Sequence, residues 1–130
     1  SNIPIRRHKT LQEVKSHIVK NILIPIRETN SSLVGKECVL LIESVFLRGN
    51  YNGAEDSREL LIIKAVEELN EQNISYKSNK LKYSSILKFK GLEKKNIFLV
   101  ISKPSELNKY EMFVGITRAI LNLEIIIVEQ

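Results

Sequence analysis

The sequence predicts one α/β domain built on a mostly parallel β-sheet. Two observations support this prediction. Runs rich in Val, Ile and Leu alternate along the chain with segments whose apolar residues recur at helical spacing. These runs are nearly unbroken, as is typical of parallel strands that are covered on both faces. The chain has 130 residues, of which 43% are hydrophobic, so residues 3–130 suffice for one domain with one core.

The first part of the chain is predicted to form a helix, a strand and a second helix. Thr10 and Glu13 match a capping box, and the apolar residues after them follow helical spacing until Pro25 ends the helix. Residues 38–46 are mostly apolar and short enough for a buried strand. A turn rich in Gly and Asn then leads into the second helix, over residues 56–73.

The second part is predicted to form two strands, a helix and a last strand. The strands cover residues 82–86, 96–101 and 123–128, and the helix begins after Asn108. Five residues share one side of that helix at helical spacing: Tyr110, Phe113, Val114, Thr117 and Leu121.

Two stretches, residues 88–93 and 114–119, carry the candidate chemistry, and each is interpreted as following a strand. Ligands of parallel sheets bind beyond the carboxyl ends of the strands, so both stretches are expected at that edge. Gly91 permits a tight turn. Gly115 and Ala119 lie four residues apart, so they are expected to share one helix face and to permit close approach of a neighbouring element.

Arg118 stands among small and apolar residues, so it must find an anion or remain at the rim. One interpretation is a salt bridge to Glu93 or Glu111. The other is a phosphate contact, because a guanidinium group pairs bidentately with phosphate oxygens. A net charge of +5 and a pI near 9.4 favour a polyanionic partner, although a solvated basic surface accounts for the same charge.

Few other residues suggest chemistry. Cys38 is the only cysteine, so the sequence excludes a disulfide framework and a zinc cluster, and a reduced, cytoplasmic setting is expected. His8 and His17 lack metal-ligand spacing and are expected at the surface, and no metal site is predicted. No apolar run approaches the ~20 residues that cross a membrane, so no membrane partner is expected.

Residues 85–93, 98–100 and 112–119 together resemble motifs V and VI of the UvrD/Rep-like superfamily 1 helicases. The first stretch reads Ser-Ile-Leu-Lys-Phe-Lys-Gly-Leu-Glu and the last reads Met-Phe-Val-Gly-Ile-Thr-Arg-Ala, with an apolar strand between them. The resemblance implies a three-layer RecA-like fold of the P-loop NTPase type. It also implies ATP with Mg²⁺ as the cofactor of the full-length protein, and single-stranded or partly duplex DNA as a partner.

The resemblance further implies roles for individual residues. Arg118 matches the arginine that reaches the γ-phosphate across the cleft between two RecA-like domains, which is the role of an arginine finger. Glu93 matches a carboxylate that contacts the nucleotide ribose, and Gly91 matches a glycine at which the backbone approaches the nucleotide. The residues expected to contact nucleic acid, one through its hydroxyl and two through positive charge, are Ser85, Lys88 and Lys90.

The chain departs from the helicase pattern at several places. Leu87 stands where motif V commonly has a histidine, and Arg48 is a poorly matching candidate for the arginine of motif IV. The large insertion found before motif V in the best-known members is absent. No Gly-x-x-x-x-Gly-Lys-[Ser/Thr] occurs in the 130 residues, so the predicted RecA-like domain lacks the P-loop that cradles phosphates.

Two functions follow from these observations. The first is the C-terminal motor domain of an ATP-dependent DNA helicase, inactive and without bound cofactor on its own, whose partner is the N-terminal RecA-like domain of the same polypeptide. The alternative is a free-standing, degenerate RecA-like module that binds nucleic acid or protein without hydrolysing ATP. An unrelated nucleotide-binding α/β domain is disfavoured, because the glycine-rich strand–helix turn is missing.

Overall fold

The computed structural model describes residues 3–23, 37–46 and 82–129, which form one parallel β-sheet with packed elements on both faces. The strands are β1 (Ile5–His8), β2 (Cys38–Ile42), β3 (Lys82–Ser85), β4 (Lys94–Ser102) and β5 (Ala119–Val128). The helices are α1 (Leu11–Ile18) and α2 (Lys109–Ile116). All five strands are parallel and lie in the order β1-β5-β4-β2-β3, so the predicted α/β class and parallel sheet are confirmed.

The two faces of the sheet bury different sets of strand residues. Helix α1 packs on one face through Val14 and Ile18, against a cluster of strand residues that includes Leu40, Ile42, Val100, Ile126 and Val128. Helix α2 and the segment 86–93 pack on the other face, against Val39, Leu41, Ile97, Leu99 and Ile101. Because successive strand side chains point to opposite faces, burial on both faces requires the unbroken apolar runs seen in the sequence.

Helix α1 begins as the capping pattern predicts. The Thr10 side chain accepts a hydrogen bond from the backbone N–H of Glu13 at 3.2 Å, which satisfies one of the free donors at the helix start. The carboxylate of Glu13 accepts from the backbone N–H of Lys9, one residue earlier than a capping box requires. A π-helical turn, Val19–Leu23, continues the helix and places Ile22 in the same core cluster.

Strand β1 was not predicted, because its sequence contains a single apolar residue, Ile5. Among the described residues it is an edge strand, paired only with the carboxyl half of β5, with Ile5 opposite Ile125. An exposed edge strand is held by backbone hydrogen bonds and needs no apolar run. The periodicity of the sequence therefore could not reveal it.

Other strand boundaries differ from their predictions. The predicted strand over 38–46 ends at Ile42, where the polar residues Glu43 and Ser44 interrupt the apolar run, and Ser44–Phe46 form a 3₁₀ turn. Strands β4 and β5 extend beyond the predicted ranges into residues that are polar or exposed. The added residues of β4 are the polar Lys94, Lys95 and Ser102, so its apolar pattern ends before the strand does. The added residues of β5 include the apolar but exposed Ile120 and Leu121, and Leu121 was predicted to lie on the preceding helix.

Several predictions fall outside the described residues. These are the end of the first helix at Pro25, the turn that contains Arg48, and the helix over residues 56–73. Within the described ranges, no helix is long and apolar enough to cross a lipid bilayer.

Candidate nucleotide and nucleic-acid site

The two candidate stretches do not lie together at the carboxyl edge of the sheet, and this prediction is wrong in part. Ser85, the last residue of β3, is level with Val100 near the carboxyl end of β4. The segment after Ser85 then crosses one face of the sheet, so Glu93 directly precedes the first residue of β4. Arg118 likewise directly precedes β5. Glu93 and Arg118 therefore lie at the amino edge.

The chain direction explains this arrangement. Helix α2 starts at the carboxyl edge, runs antiparallel to the strands and ends at the amino edge, where it delivers Arg118. Residue Lys94 lies six positions before Val100, and strands rise about 3.3 Å per residue. The backbone at Ser85 is therefore about 20 Å along the strand direction from the backbone at Glu93.

A direct backbone contact brings the ends of the two stretches together. The backbone N–H of Lys94 donates to the carbonyl oxygen of Arg118 at 3.1 Å, and Lys94 pairs with Ala119 in the sheet. The register between β4 and β5 shifts immediately afterwards, before the pairing of Asn96 with Asn122. Residues Glu93 and Arg118 are consequently held on neighbouring strand starts. The exposed Glu93 carboxylate forms no ion pair with any described residue.

The side chain of Arg118 is folded back on the end of its own helix. Its Nε–H donates to the carbonyl oxygen of Val114 at 3.1 Å, and an Nη2–H donates to Oγ1 of Thr117 at 3.0 Å. The predicted alternative, a salt bridge to Glu93 or Glu111, is not formed. Carbonyl groups at a helix C-terminus carry partial negative charge, so they stabilise a cation there.

Two glycines have the structural roles that the sequence suggested. Gly91 has a φ of +89°, a conformation that side-chain-bearing residues rarely adopt, and this turns the chain toward β4. At Gly115 a Cβ atom would lie 2.6 Å from Cδ1 of Leu99, which is fully buried, so glycine lets α2 approach β4 closely. Ala119 does not share this role, because it is the first residue of β5.

The residues assigned to nucleic-acid binding lie on one continuous segment. Oγ of Ser85 accepts from the backbone N–H of Lys88 at 3.2 Å, which closes the turn that follows β3. The Lys88 side chain is exposed. The Nζ of Lys90 donates to the hydroxyl of Tyr110 and lies 5.2 Å from the centroid of its ring, a cation–π contact.

The five residues that were predicted to share one side of α2 do not all lie on one side of that helix. Val114 is buried beneath the helix, but Tyr110 is 56% exposed and Phe113 is 64% exposed. Thr117 follows the last helical residue, and Leu121 lies in β5. The helix is apolar on its outward face as well as its inward face, which is unusual for a helix in contact with water.

A buried polar network, which the sequence did not assign, anchors the start of α2. Glu43 is 4% exposed, and its Oε1 accepts from the backbone N–H of Ser102 at 3.0 Å and from Nδ2 of Asn108 at 3.0 Å. Asn108 occupies the predicted N-cap position of α2, but its side chain makes no capping hydrogen bond. Glu111 instead accepts from the hydroxyl of Ser44 at 2.7 Å. The sequence feature that could have revealed this network is Glu43, a carboxylate inside the apolar run of residues 38–46.

These residues line a cavity of about 330 Å³ at the carboxyl ends of β2 and β4. The lining residues that form the hydrogen bonds are Glu43, Ser44, Ser102, Asn108 and Glu111. In the described ranges, no group of three or more His, Cys, Asp or Glu side chains has the geometry of a metal site. The network fixes the position of α2 and so, at the other end of the helix, the position of Arg118.

The two histidines form a packed pair, contrary to the expectation that both lie at the surface. Their ring centroids are 5.1 Å apart, and Nε2 of His17 lies 3.3 Å from a carboxylate oxygen of Glu124. Nε2 of His8 is buried without a hydrogen-bond partner. Burial, reinforced by the charge of His17, lowers the pKa of His8 below its ordinary value of 6.5.

This pair predicts a pH dependence of stability. The unfolded chain binds the His8 proton more readily than the folded chain, so the contribution of His8 to the free energy of unfolding is fully present above pH 6.5 and is lost as the pH drops below that value. Replacing His8 with Phe should reduce this loss between pH 7.5 and pH 5. Urea unfolding across that range measures it. An equal loss in wild type and His8→Phe would contradict the prediction.

Comparison with known proteins adds no relative from which a role could be transferred. No protein-family model matches the chain, and no curated protein matches it significantly.

Proposed function

We propose that this chain is the C-terminal RecA-like motor domain of an ATP-dependent DNA helicase. In this proposal it supplies Arg118 to a nucleotide held by an N-terminal RecA-like domain of the same polypeptide, and it supplies part of the surface that binds single-stranded DNA. The observation that carries the proposal is the backbone bond from Lys94 to Arg118. That bond holds the exposed Glu93 carboxylate and the guanidinium group at the same edge of a parallel sheet.

The chemistry of this edge suits a shared nucleotide site. A carboxylate such as that of Glu93 accepts hydrogen bonds from ribose hydroxyls, and the Arg118 guanidinium has no carboxylate partner among the described residues. A bound Mg²⁺–ATP would supply the phosphoryl group and a metal that neutralises its charge. Arg118 would contribute positive charge at the γ-phosphate, and Gly91 would leave room for the nucleotide beside the turn.

Exposed apolar side chains next to these residues support a protein partner at the same edge. Leu92 precedes Glu93, and Ile120 and Leu121 follow Arg118; all three are more than half exposed. On the outward face of α2, Phe113 adds a large aromatic surface. Contiguous apolar surface is typical of protein interfaces. A second motor domain would cover it and bring its nucleotide to Arg118.

The segment 86–93 gives the domain a physical connection between its two proposed binding surfaces. It begins after Ser85 at the carboxyl edge and ends at Glu93 at the amino edge. Its first residue, Ile86, and Phe89, near its middle, are buried in the core. The segment therefore joins the two proposed binding surfaces through one short stretch of backbone.

The first test compares the 130-residue chain with the native polypeptide captured from its source cell by an antibody against this domain. We expect no ATP hydrolysis from the chain alone, and hydrolysis stimulated by single-stranded DNA from a native polypeptide several times larger than 14.9 kDa. A native polypeptide near 14.9 kDa would overturn the proposal and favour the free-standing binding module.

Charge reversal at Lys88 and Lys90 should weaken the binding of single-stranded DNA by the chain itself. Each phosphate contact on a single strand contributes about 0.7 to the dependence of log K on log salt concentration, so loss of two contacts should reduce that slope by about 1.4. Fluorescence anisotropy with a labelled oligonucleotide, titrated at several salt concentrations, measures both effects for Lys88→Glu/Lys90→Glu.

Lys20→Glu is the matched control, because Lys20 is an exposed lysine beside α1 on the opposite face of the sheet. We expect this variant to lower the net charge without a comparable change in slope. The proposed DNA surface would be contradicted if Lys20→Glu had the same effect as Lys88→Glu or Lys90→Glu alone. That result would show that net charge attracts DNA without a specific surface.

A further inference from the structure

Hydrogen bonds to the end of α2 hold the side chain of Arg118 in place. The guanidinium group donates from Nε to Val114 and from Nη2 to Thr117, and the arginine is only partly exposed. In this position Nε–H and one Nη2–H point at the end of α2 and away from any anion in solvent. The arginine must leave these acceptors before a phosphate group can pair with its Nε–H/Nη2–H fork, whereas both Nη1–H groups and the second Nη2–H take no part in these two bonds.

Thr117 is the centre of this arrangement. Its Oγ1 lies 3.1 Å from the carbonyl oxygen of Phe113 and 3.0 Å from that of Val114. The hydroxyl has one proton, which it donates to these carbonyls, so its lone pairs point toward the neighbouring guanidinium group. The hydroxyl is therefore oriented by the helix as an acceptor for Arg118.

We propose that Thr117 is a positioning residue, whose hydroxyl sets the balance between a folded-back and an extended position of Arg118 and so limits the affinity of Arg118 for phosphate groups. The biological meaning rests on the proposed function, in which the phosphate belongs to a nucleotide held by another domain. The folded-back position keeps a cation at a helix C-terminus, where the helix dipole stabilises it.

The expected size of the effect follows from the bond that is removed. An anion that binds the Nε–H/Nη2–H fork of Arg118 competes with the Thr117 acceptor, so its apparent affinity is reduced by the fraction of Arg118 that is folded back. Thr117→Val keeps the β-branched shape and removes the acceptor. Loss of one solvent-exposed hydrogen bond should raise the anion affinity by about two- to tenfold.

The test uses the 130-residue chain with inorganic tripolyphosphate as the probe. The ¹H–¹⁵N signal of Arg118 Nε reports both bonds, because hydrogen exchange at Nε and rotation of the Nη groups slow when the guanidinium group is held. We expect faster exchange and rotation in Thr117→Val, together with a two- to tenfold lower dissociation constant for tripolyphosphate. Thr117→Ser keeps the hydroxyl and should behave like wild type.

Three outcomes would overturn the inference. One is an unchanged anion affinity in Thr117→Val. Another is a lower affinity, which would mean that the hydroxyl orients Arg118 toward the anion. The third is exchange at Arg118 Nε in wild type as fast as in free arginine. Arg118→Ala in the Thr117→Val background should abolish the gain, since the effect must pass through the guanidinium group.

These measurements are separable from the proposed function. If Thr117→Val raises affinity in the isolated chain while ATP hydrolysis by the native polypeptide is insensitive to Arg118→Ala, the inference stands and the helicase proposal fails. If hydrolysis requires Arg118 but the anion affinity of the isolated chain is unchanged by Thr117→Val, the helicase proposal stands and the inference fails.

Discussion

On the helicase proposal, replacing Arg118 with Ala in the native polypeptide should reduce the DNA-stimulated rate of ATP hydrolysis by about a thousandfold or more. An arginine finger contributes on the order of 10³ to 10⁵ to the rate, because its charge is placed where negative charge develops in the transition state. The Michaelis constant for ATP should change much less than kcat. Steady-state kinetics at saturating single-stranded DNA measure both parameters.

Two further variants separate this catalytic role from a structural one. Arg118→Lys keeps the charge but loses the planar, bidentate donor, so its rate should recover only in part. Arg7→Ala removes an exposed arginine that pairs with Glu129 on the edge strand, and its rate should equal wild type. A rate in Arg118→Ala above one tenth of wild type would contradict the arginine-finger assignment.

Arg118→Ala should leave the fold intact. Within the described residues the side chain donates two hydrogen bonds, to the carbonyl oxygen of Val114 and to Oγ1 of Thr117, and the Val114 carbonyl also accepts from the Thr117 hydroxyl. We therefore expect a stability change of at most about 1 kcal/mol, in line with the net value of exposed hydrogen bonds. Thermal unfolding of the isolated chain provides this control.

Replacing Glu43 with Ala should have the largest effect on stability, about 3 kcal/mol. The substitution removes the acceptor of the Ser102 backbone N–H, the Ser102 hydroxyl and the Asn108 amide, and it leaves these donors partly or wholly unpaired where water is excluded. For a domain of this size, the expected fall in Tm is on the order of 10 °C. Urea and thermal unfolding of the isolated chain measure the change.

Glu106→Ala is the matched control for this prediction. Glu106 is almost fully exposed, and its carboxylate lies 3.9 Å from the ammonium group of Lys109, so its loss should cost less than about 0.5 kcal/mol. Glu43→Gln keeps the shape and one acceptor oxygen, and it should fall between the two. A cost below about 1 kcal/mol for Glu43→Ala would show that the network does not anchor α2.

The comparison of sequence with structure is clearest in β2 and β4. Their apolar runs predicted parallel strands covered on both faces, and alternate residues such as Leu40 and Leu41 do pack into opposite clusters. The edge strand β1 was not predicted, because its sequence has no apolar pattern and backbone pairing with β5 holds it in the sheet. Periodicity detects burial of side chains, and it cannot detect an element whose side chains remain exposed.

The candidate site was predicted by residue type more successfully than by position. Gly91 has the positive φ that a glycine permits, and Gly115 allows the close approach of α2 to Leu99. The location of Glu93 and Arg118 at the amino edge could not be predicted. It depends on the paths that the segment after β3 and the helix before β5 take across the sheet. The roles of Gly91, Glu93 and Arg118 at a nucleotide remain predictions, as do those of Ser85, Lys88 and Lys90 at nucleic acid.

By itself the sequence determined the α/β class, the parallel sheet, the start of α1 at Thr10 and the turn at Gly91, because each depends on local geometry or on the periodicity of burial. Only the tertiary structure decided that Glu93 and Arg118 share an edge, that Arg118 is folded onto Thr117, and that Glu43 joins three elements. The physical reason is that these contacts join residues that are distant in the chain or compete for one acceptor, and only the assembled sheet and helices determine which partners come within hydrogen-bonding distance.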